Sequence, residues 1–284
     1  MLHLSTRGYA AWGFSFRVES DDPLLVEVVA RCYRDLPAAT DDVWVLRSER
    51  IGAGNRYAVS LHSSDGTSEE LGAGRARNAV LELICWEVNS RALQSASDQV
   101  VLHAAVVAGP AGAIALCGAS HRGKSTLAAA AARRGWRHLS DDMGLVDVDA
   151  MTVTPYARPI MLRPGGRDHL ATLPEPPAEH LQFFPDEWFV PASELGAIVS
   201  DDSVPLVAVG FLEWHDGATI NPLSQAQTLH DLTLHSATVA RQGAVGFARL
   251  ERIARLVPGC RVGLGTADDA LDLCAGLVGP AVAR

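Results

Sequence analysis

Apolar and polar residues alternate from Tyr9 to Val18, which predicts a strand ending at the acidic break Asp21-Asp22-Pro23. The spacing then changes. Leu24, Leu25, Val28, Val29 and Cys32 recur at helical intervals, and Pro37 lies beyond them, so a helix should stop near Asp35. Two β-like runs follow, Val43 to Arg47 and Arg56 to Leu61, joined by Gly52-Ala53-Gly54-Asn55 as a hairpin connection, and Ser63-Ser64-Asp65-Gly66 marks a turn. From Ala76 to Leu93, Val80, Leu83, Ile84, Val88 and Leu93 form one helical stripe, with Arg77, Glu82 and Arg91 left for the wet side. Ser95 to Asp98 breaks that pattern, and the break divides the chain into an N-terminal domain over residues 1–97 and a larger one over 98–284.

Beyond the break, an apolar strand over Val100 to Ala108, the turn Gly109-Pro110-Ala111-Gly112 and a strand over Ala113 to Cys117 read as a hairpin. An Ala-rich helix from Lys124 to Arg134 is closed by Gly135, and a further strand runs from Trp136 to Ser140. Leu173 to Pro191 carries five prolines together with Phe183, Phe184 and Trp188, which reads as a covering or substrate-binding lid. The pattern closes with a strand from Val204 to Trp214, a helical region from Gln225 to Leu256, a strand from Cys260 to Leu264 and a helix from Ala267 onward.

Composition narrows the function. A chain of 284 residues that is 48% hydrophobic can bury a sizeable core, and a formal net charge of −9 disfavours nucleic acid or an anionic membrane, both of which need a basic surface to displace counterions. No basic segment followed by an apolar run opens the chain and no stretch is long and apolar enough to span a bilayer, so the expectation is a cytoplasmic protein. Cys32, Cys85, Cys117, Cys260 and Cys274 are widely spaced in apolar surroundings, as reduced buried thiols are, rather than paired as a disulfide framework or zinc site. A homo-oligomer is compatible with all of this.

The chemistry concentrates in one loop. Gly118, Ala119, Ser120, His121, Arg122, Gly123, Lys124 and Ser125 satisfy G-x-x-x-x-G-K-[ST], followed by Thr126, between an apolar strand and a helix. Successive amides of such a loop face one concavity and the helix adds its positive end, so a polyphosphate fits there. Lys124 would reach the β- and γ-phosphates and the Ser125 hydroxyl would ligate Mg²⁺. Arg122 either adds a cation at the γ-phosphate or points to solvent. Asp141 and Asp142 end the next strand, where an open α/β sheet places ligand-binding groups; one can hold Mg²⁺ while the other accepts the proton of an attacking hydroxyl.

Leu102-His103-Ala104, the phosphate loop, Ser140-Asp141-Asp142 and Phe211-Leu212-Glu213-Trp214 together resemble the kinase domain of HPr kinase/phosphorylase, in the superfamily of the ATP-dependent phosphoenolpyruvate carboxykinases. The likeness runs from about Val100 to Leu277. It implies an α/β fold: a P-loop kinase domain with a mixed sheet, preceded by a small α+β domain. It also implies ATP and Mg²⁺ as cofactors, Lys124 and Ser125 serving them, Asp141 as general base, Asp142 assisting the metal, and His103 supporting the pair. Glu213 either joins the metal shell or simply ends a strand. The glutamate–arginine signature of true HPr kinases is missing and Gly263-Leu264-Gly265 lacks the family's arginine, so the likeness does not extend to dephosphorylation or to HPr as acceptor. The whole chain resembles the HPr-kinase-like proteins of bacterial peptide clusters, including those that phosphorylate lasso peptides. In that setting Arg158 and Arg163 would neutralise the transferred group or form structural ion pairs. The expected activity is phosphoryl transfer to a serine of a peptide or small protein; the alternatives are a small-molecule hydroxyl kinase and a non-catalytic nucleotide-binding module.

Overall fold

The computed structural model describes residues 3–40, 43–52, 54–170 and 173–279, a mixed α/β protein with mixed sheets. It divides into two units, Met1–Ser95 with Glu175–Trp188, and Ala96–Pro174 with Phe189–Arg284.

In the first unit Phe14–Ser20 is the organising strand, with inward residues Phe14, Phe16 and Val18 alternating with wetter ones. It pairs in parallel with Trp44–Arg50, and the crossover this requires is the helix Pro23–Cys32. That helix starts where Asp22 accepts the Leu24 N–H at 3.2 Å and Pro23 occupies the first turn. It buries Leu25, Val28, Val29 and Cys32, and it ends at Cys32 rather than near Asp35. The strand expected over Tyr9 to Val18 is a hairpin, Tyr9–Ala11 against Phe14–Ser20, because Trp12 turns the chain at φ 53°. Arg56–His62 carries the sheet on to Ser68–Ala76, a strand without sequence warning, since its residues are exposed or half-buried and show no inward–outward alternation. Ala53 of the expected connection lies outside the described residues.

The proline-rich segment departs most from expectation. Phe183 and Trp188 are each only 1% exposed and Phe184 4%, so the aromatic residues that suggested a covering loop are core. Glu175–Trp188 belongs to the first unit, where the Arg77 guanidinium lies 4.9 Å from the Phe183 ring centroid. Prolines keep this segment out of long helices and ladders, but they do not prevent the aromatic rings between them from being buried.

In the second unit Val204–Glu213 runs parallel to Gly112–Cys117 on one side and Gly259–Leu264 on the other. Gly112–Cys117 also forms the expected hairpin, with Ala104–Gly109, and Arg137–Ser140 adds to its outer edge. The helix Lys124–Arg133 buries Leu127 and the alanines from Ala128 to Ala132, whose small side chains allow close packing. The strand expected over Val100 to Ala108 is split at His103, whose N–H donates to the His235 carbonyl at 2.7 Å while Val100–Leu102 pairs with Gly144–Asp147. The helical region expected from Gln225 to Leu256 is two helices, Gln225–Leu234 and Thr238–Leu256. All five cysteines are buried free thiols, and no helix among the described residues is long and apolar enough to cross a membrane.

Candidate functional site

The parallel strands Gly112–Cys117 and Val204–Glu213 deliver their following residues to one edge of the sheet, the edge at which open α/β sheets bind ligands. Gly118 begins the loop there. Gly123 closes it at φ 83°, a left-handed conformation that glycine adopts without strain, and helix Lys124–Arg133 begins with no side chain capping it. The N–H groups of a first turn have no partner within their own helix, so this end is open to an anion. Lys124 is 6% exposed, and its Nζ donates to the carbonyls of Gly118 at 2.9 Å and Ala119 at 3.2 Å, which folds the ammonium back across its own loop.

Two carboxylates and a hydroxyl complete the arrangement. Ser125 Oγ donates to Asp141, at 2.9 Å from Oδ2 and 3.1 Å from Oδ1, and the Met161 N–H donates to Oδ2 at 3.1 Å. Burial raises the Asp141 carboxyl above the usual carboxylate range; the neighbouring Asp142 charge adds to this, while Arg158 and the two hydrogen bonds oppose it. Asp142 sits at φ 74°, a conformation Asp tolerates better than most residues, and its Oδ1 lies 3.3 Å from His103 Nδ1 and 3.6 Å from Lys124 Nζ. His103 Nε2 is 2.9 Å from the Lys124 amine, which can only donate, so the Nε2 lone pair accepts and the ring proton belongs on Nδ1, directed at Asp142. Burial also lowers the His103 pKa, helped by Lys124 and opposed by Asp142, which keeps this imidazole neutral.

These groups face a cavity of about 490 Å³, within the roughly 300–1,000 Å³ that small-molecule sites occupy. His103, Lys124, Ser125, Thr126, Asp141 and Asp142 line it, together with Ser120, His121 and Gly123 from the loop. Gly118 and Ala119 contribute carbonyls to Lys124, whereas Arg122 is exposed and is not among the lining residues. Glu213 is not among them either: its carboxylate lies 3.8 Å from Arg261, so the structure pairs it with that cation and not with the acidic pair.

No protein-family model matches the chain, and no curated protein matches it either.

An uncapped helix end and a buried ammonium suit a polyphosphate, and adjacent Ser125 and Asp141 oxygens suit a hard divalent ion. Among the described residues no group of three or more His, Cys, Asp and Glu could hold a metal by itself. Mg²⁺ does not need one, because it keeps waters and takes substrate phosphate oxygens alongside one or two protein ligands. Arg158 and Arg163 also line the cavity, and Arg163 Nη1 is 3.4 Å from both ring nitrogens of His121. Sequence reasoning missed the Met161 amide, which leaves no mark in a side-chain pattern, and it missed His169 and Trp214 as cavity residues. Trp214 carried a readable signal: a large ring immediately after a parallel strand, at the ligand-binding edge.

Proposed function

We propose that the chain is an ATP- and Mg²⁺-dependent phosphotransferase that moves the γ-phosphoryl group onto a hydroxyl, a serine of a peptide or small protein being the acceptor, and that its second unit is an HPr-kinase-like P-loop domain preceded by a small α+β domain. The observation that carries this reading is the convergence of the Lys124 amine, the Ser125–Asp141 hydrogen bond and the His103–Asp142 pair on one cavity.

Ser125 and Asp141 are the residues that would hold Mg²⁺, which when bound would supply neutralising charge for the phosphates. The protein's own groups divide the remaining work. The loop amides and Lys124 hold the phosphates, and Ser125 with Asp141 offers the two oxygens that face the metal. Asp142, half-exposed and held by His103, is the carboxylate placed to take the acceptor's proton as its oxygen bonds to phosphorus and the bridging bond to ADP breaks. This reverses the roles that family resemblance implies for the two aspartates. The buried carboxylate with two hydrogen-bond donors suits a fixed ligand position, whereas the more open one can meet an incoming hydroxyl.

The test is incubation of the purified chain with Mg²⁺, ATP and serine-containing peptides, followed by mass spectrometry. Wild type should add a phosphoryl group and Lys124→Ala and Asp142→Asn should not. ATP binding by wild type with no transfer to any peptide or small-molecule alcohol would favour the non-catalytic module.

A further inference from the structure

The phosphate loop fixes a direction along the cavity. Loop amides of this type cradle the α- and β-phosphates while the lysine reaches the β- and γ-phosphates. The Lys124 amine is flanked by His103 and Asp142, so the γ end lies with them. The α-phosphate, and whatever it carries, must lie away from that end of the cavity.

His169 and Trp214 also line the cavity, and Gly166, three residues before His169, lies against Thr126 in the first turn of the loop's helix. A Cβ on Gly166 would meet Thr126 Oγ1 at 2.9 Å, so a larger residue there would push this turn or the Thr126 side chain aside. His169 caps the short helix that this turn begins. Its ring centroid is 6.5 Å from that of Trp214, with the planes tilted by 49°. A flat ring held between two parallel ones needs roughly two contact distances, about 7 Å in all, so His169 and Trp214 would turn toward parallel and part slightly to admit one. Trp214 is 53% exposed, so its indole is open to a ligand in the cavity it lines. Beneath the two rings, Leu127, Leu264 and Ala267 line an apolar recess that continues to Gly123 and Thr126.

We infer that His169 and Trp214 form the seat of the nucleobase, which stacks between their rings while the triphosphate runs back along the helix end to Lys124. The inference rests on the nucleotide reading of the loop and extends it to the base. It also gives the exposed indole a role: a sequence-tolerant stacking platform that the bound base would cover.

Calorimetric titration of the full chain with ATP and with inorganic tripolyphosphate, each with Mg²⁺, separates the two claims. Trp214→Ala should weaken ATP binding about tenfold, within the range of one lost base stack, and leave tripolyphosphate affinity unchanged. His169→Ala should act in the same direction by a smaller factor, and Trp214→Phe should restore most of the affinity. Unchanged ATP affinity in Trp214→Ala would overturn the inference and turn the indole over to the acceptor. Equal loss of ATP and tripolyphosphate would overturn it as well, by showing that Trp214 shapes the loop rather than meeting the base. If wild type binds tripolyphosphate but gains nothing from the adenosine, the base seat fails while the phosphate site stands; if it binds neither, both fail.

Discussion

Asp22 and Asp141 are each 1% exposed, yet their surroundings drive them in opposite directions. Around Asp22, burial alone would raise the carboxyl, but Arg77 grips both oxygens at 2.5 and 2.6 Å, the Tyr57 hydroxyl donates at 2.8 Å, and the Leu24 amide adds a third donor, so its pKa is lowered. Asp141 has a neutral hydroxyl and one amide as its hydrogen-bond donors, a second carboxylate as its chain neighbour, and a raised pKa. The first carboxylate is saturated and ties a helix start to the strands around it. The second keeps capacity for a cation, and a buried carboxylate with a raised pKa points to a working site more surely than an acidic residue at a strand end.

The largest break in the comparison should come from removing charge at each position. Asp141→Asn should cut phosphoryl transfer roughly a hundred- to ten-thousandfold. Its urea midpoint without metal should stay level or rise, because the substitution removes a charge that burial disfavours despite Arg158. Asp22→Asn should do the reverse: about 3–5 kcal/mol of folding stability lost, measured by urea unfolding, since Arg77 is left facing an uncharged partner. The acid limb distinguishes them further. A carboxylate whose folded pKa is depressed stabilises fully above its unfolded value near 3.9 and loses that contribution as pH falls toward the folded value. The wild-type acid-unfolding limb should therefore flatten in Asp22→Asn.

His138 sharpens the comparison with a group that is buried and has no opposite charge beside it. Burial lowers its pKa to about 4, with Arg158's charge acting in the same direction and the Arg158 carbonyl, 3.4 Å from Nε2, opposing. The unfolded chain takes up the proton near pH 6.5 and the folded one does not, so stability is complete above that value. It should fall by on the order of 3 kcal/mol as pH drops to about 4. Thermal unfolding across this range should be steeper in wild type than in His138→Gln. The smallest effect belongs to Glu213, whose partner is Arg261: Glu213→Gln should change phosphoryl transfer by less than about twofold in the same peptide assay.

What could be read from the sequence was local. The loop from Gly118 to Thr126 announces itself because its spacing, its preceding strand and its following helix are contiguous in the chain. Asp141 and Asp142 were legible for the same reason, as the end of a short apolar strand. The partner of Asp141 was not, because the Met161 amide is a backbone group brought in from another segment. Ser68–Ala76 escaped notice because an edge strand wet on both faces has no period of two to detect. Glu213 stayed open for a different reason. Its position at a strand end pointed equally to the metal and to structure, and the structure sets its carboxylate 3.8 Å from Arg261 of the neighbouring strand, outside the residues that line the cavity.

The chain passes from one unit to the other after Ser95, back after Pro174, and over again after Trp188. Neither unit is therefore a cassette that recombination can lift out with a single cut. A gene truncated at Ser95 would encode a first unit without Phe183, Phe184 and Trp188 to fill its interior, and a chimera that exchanges this unit between relatives must carry both of its pieces.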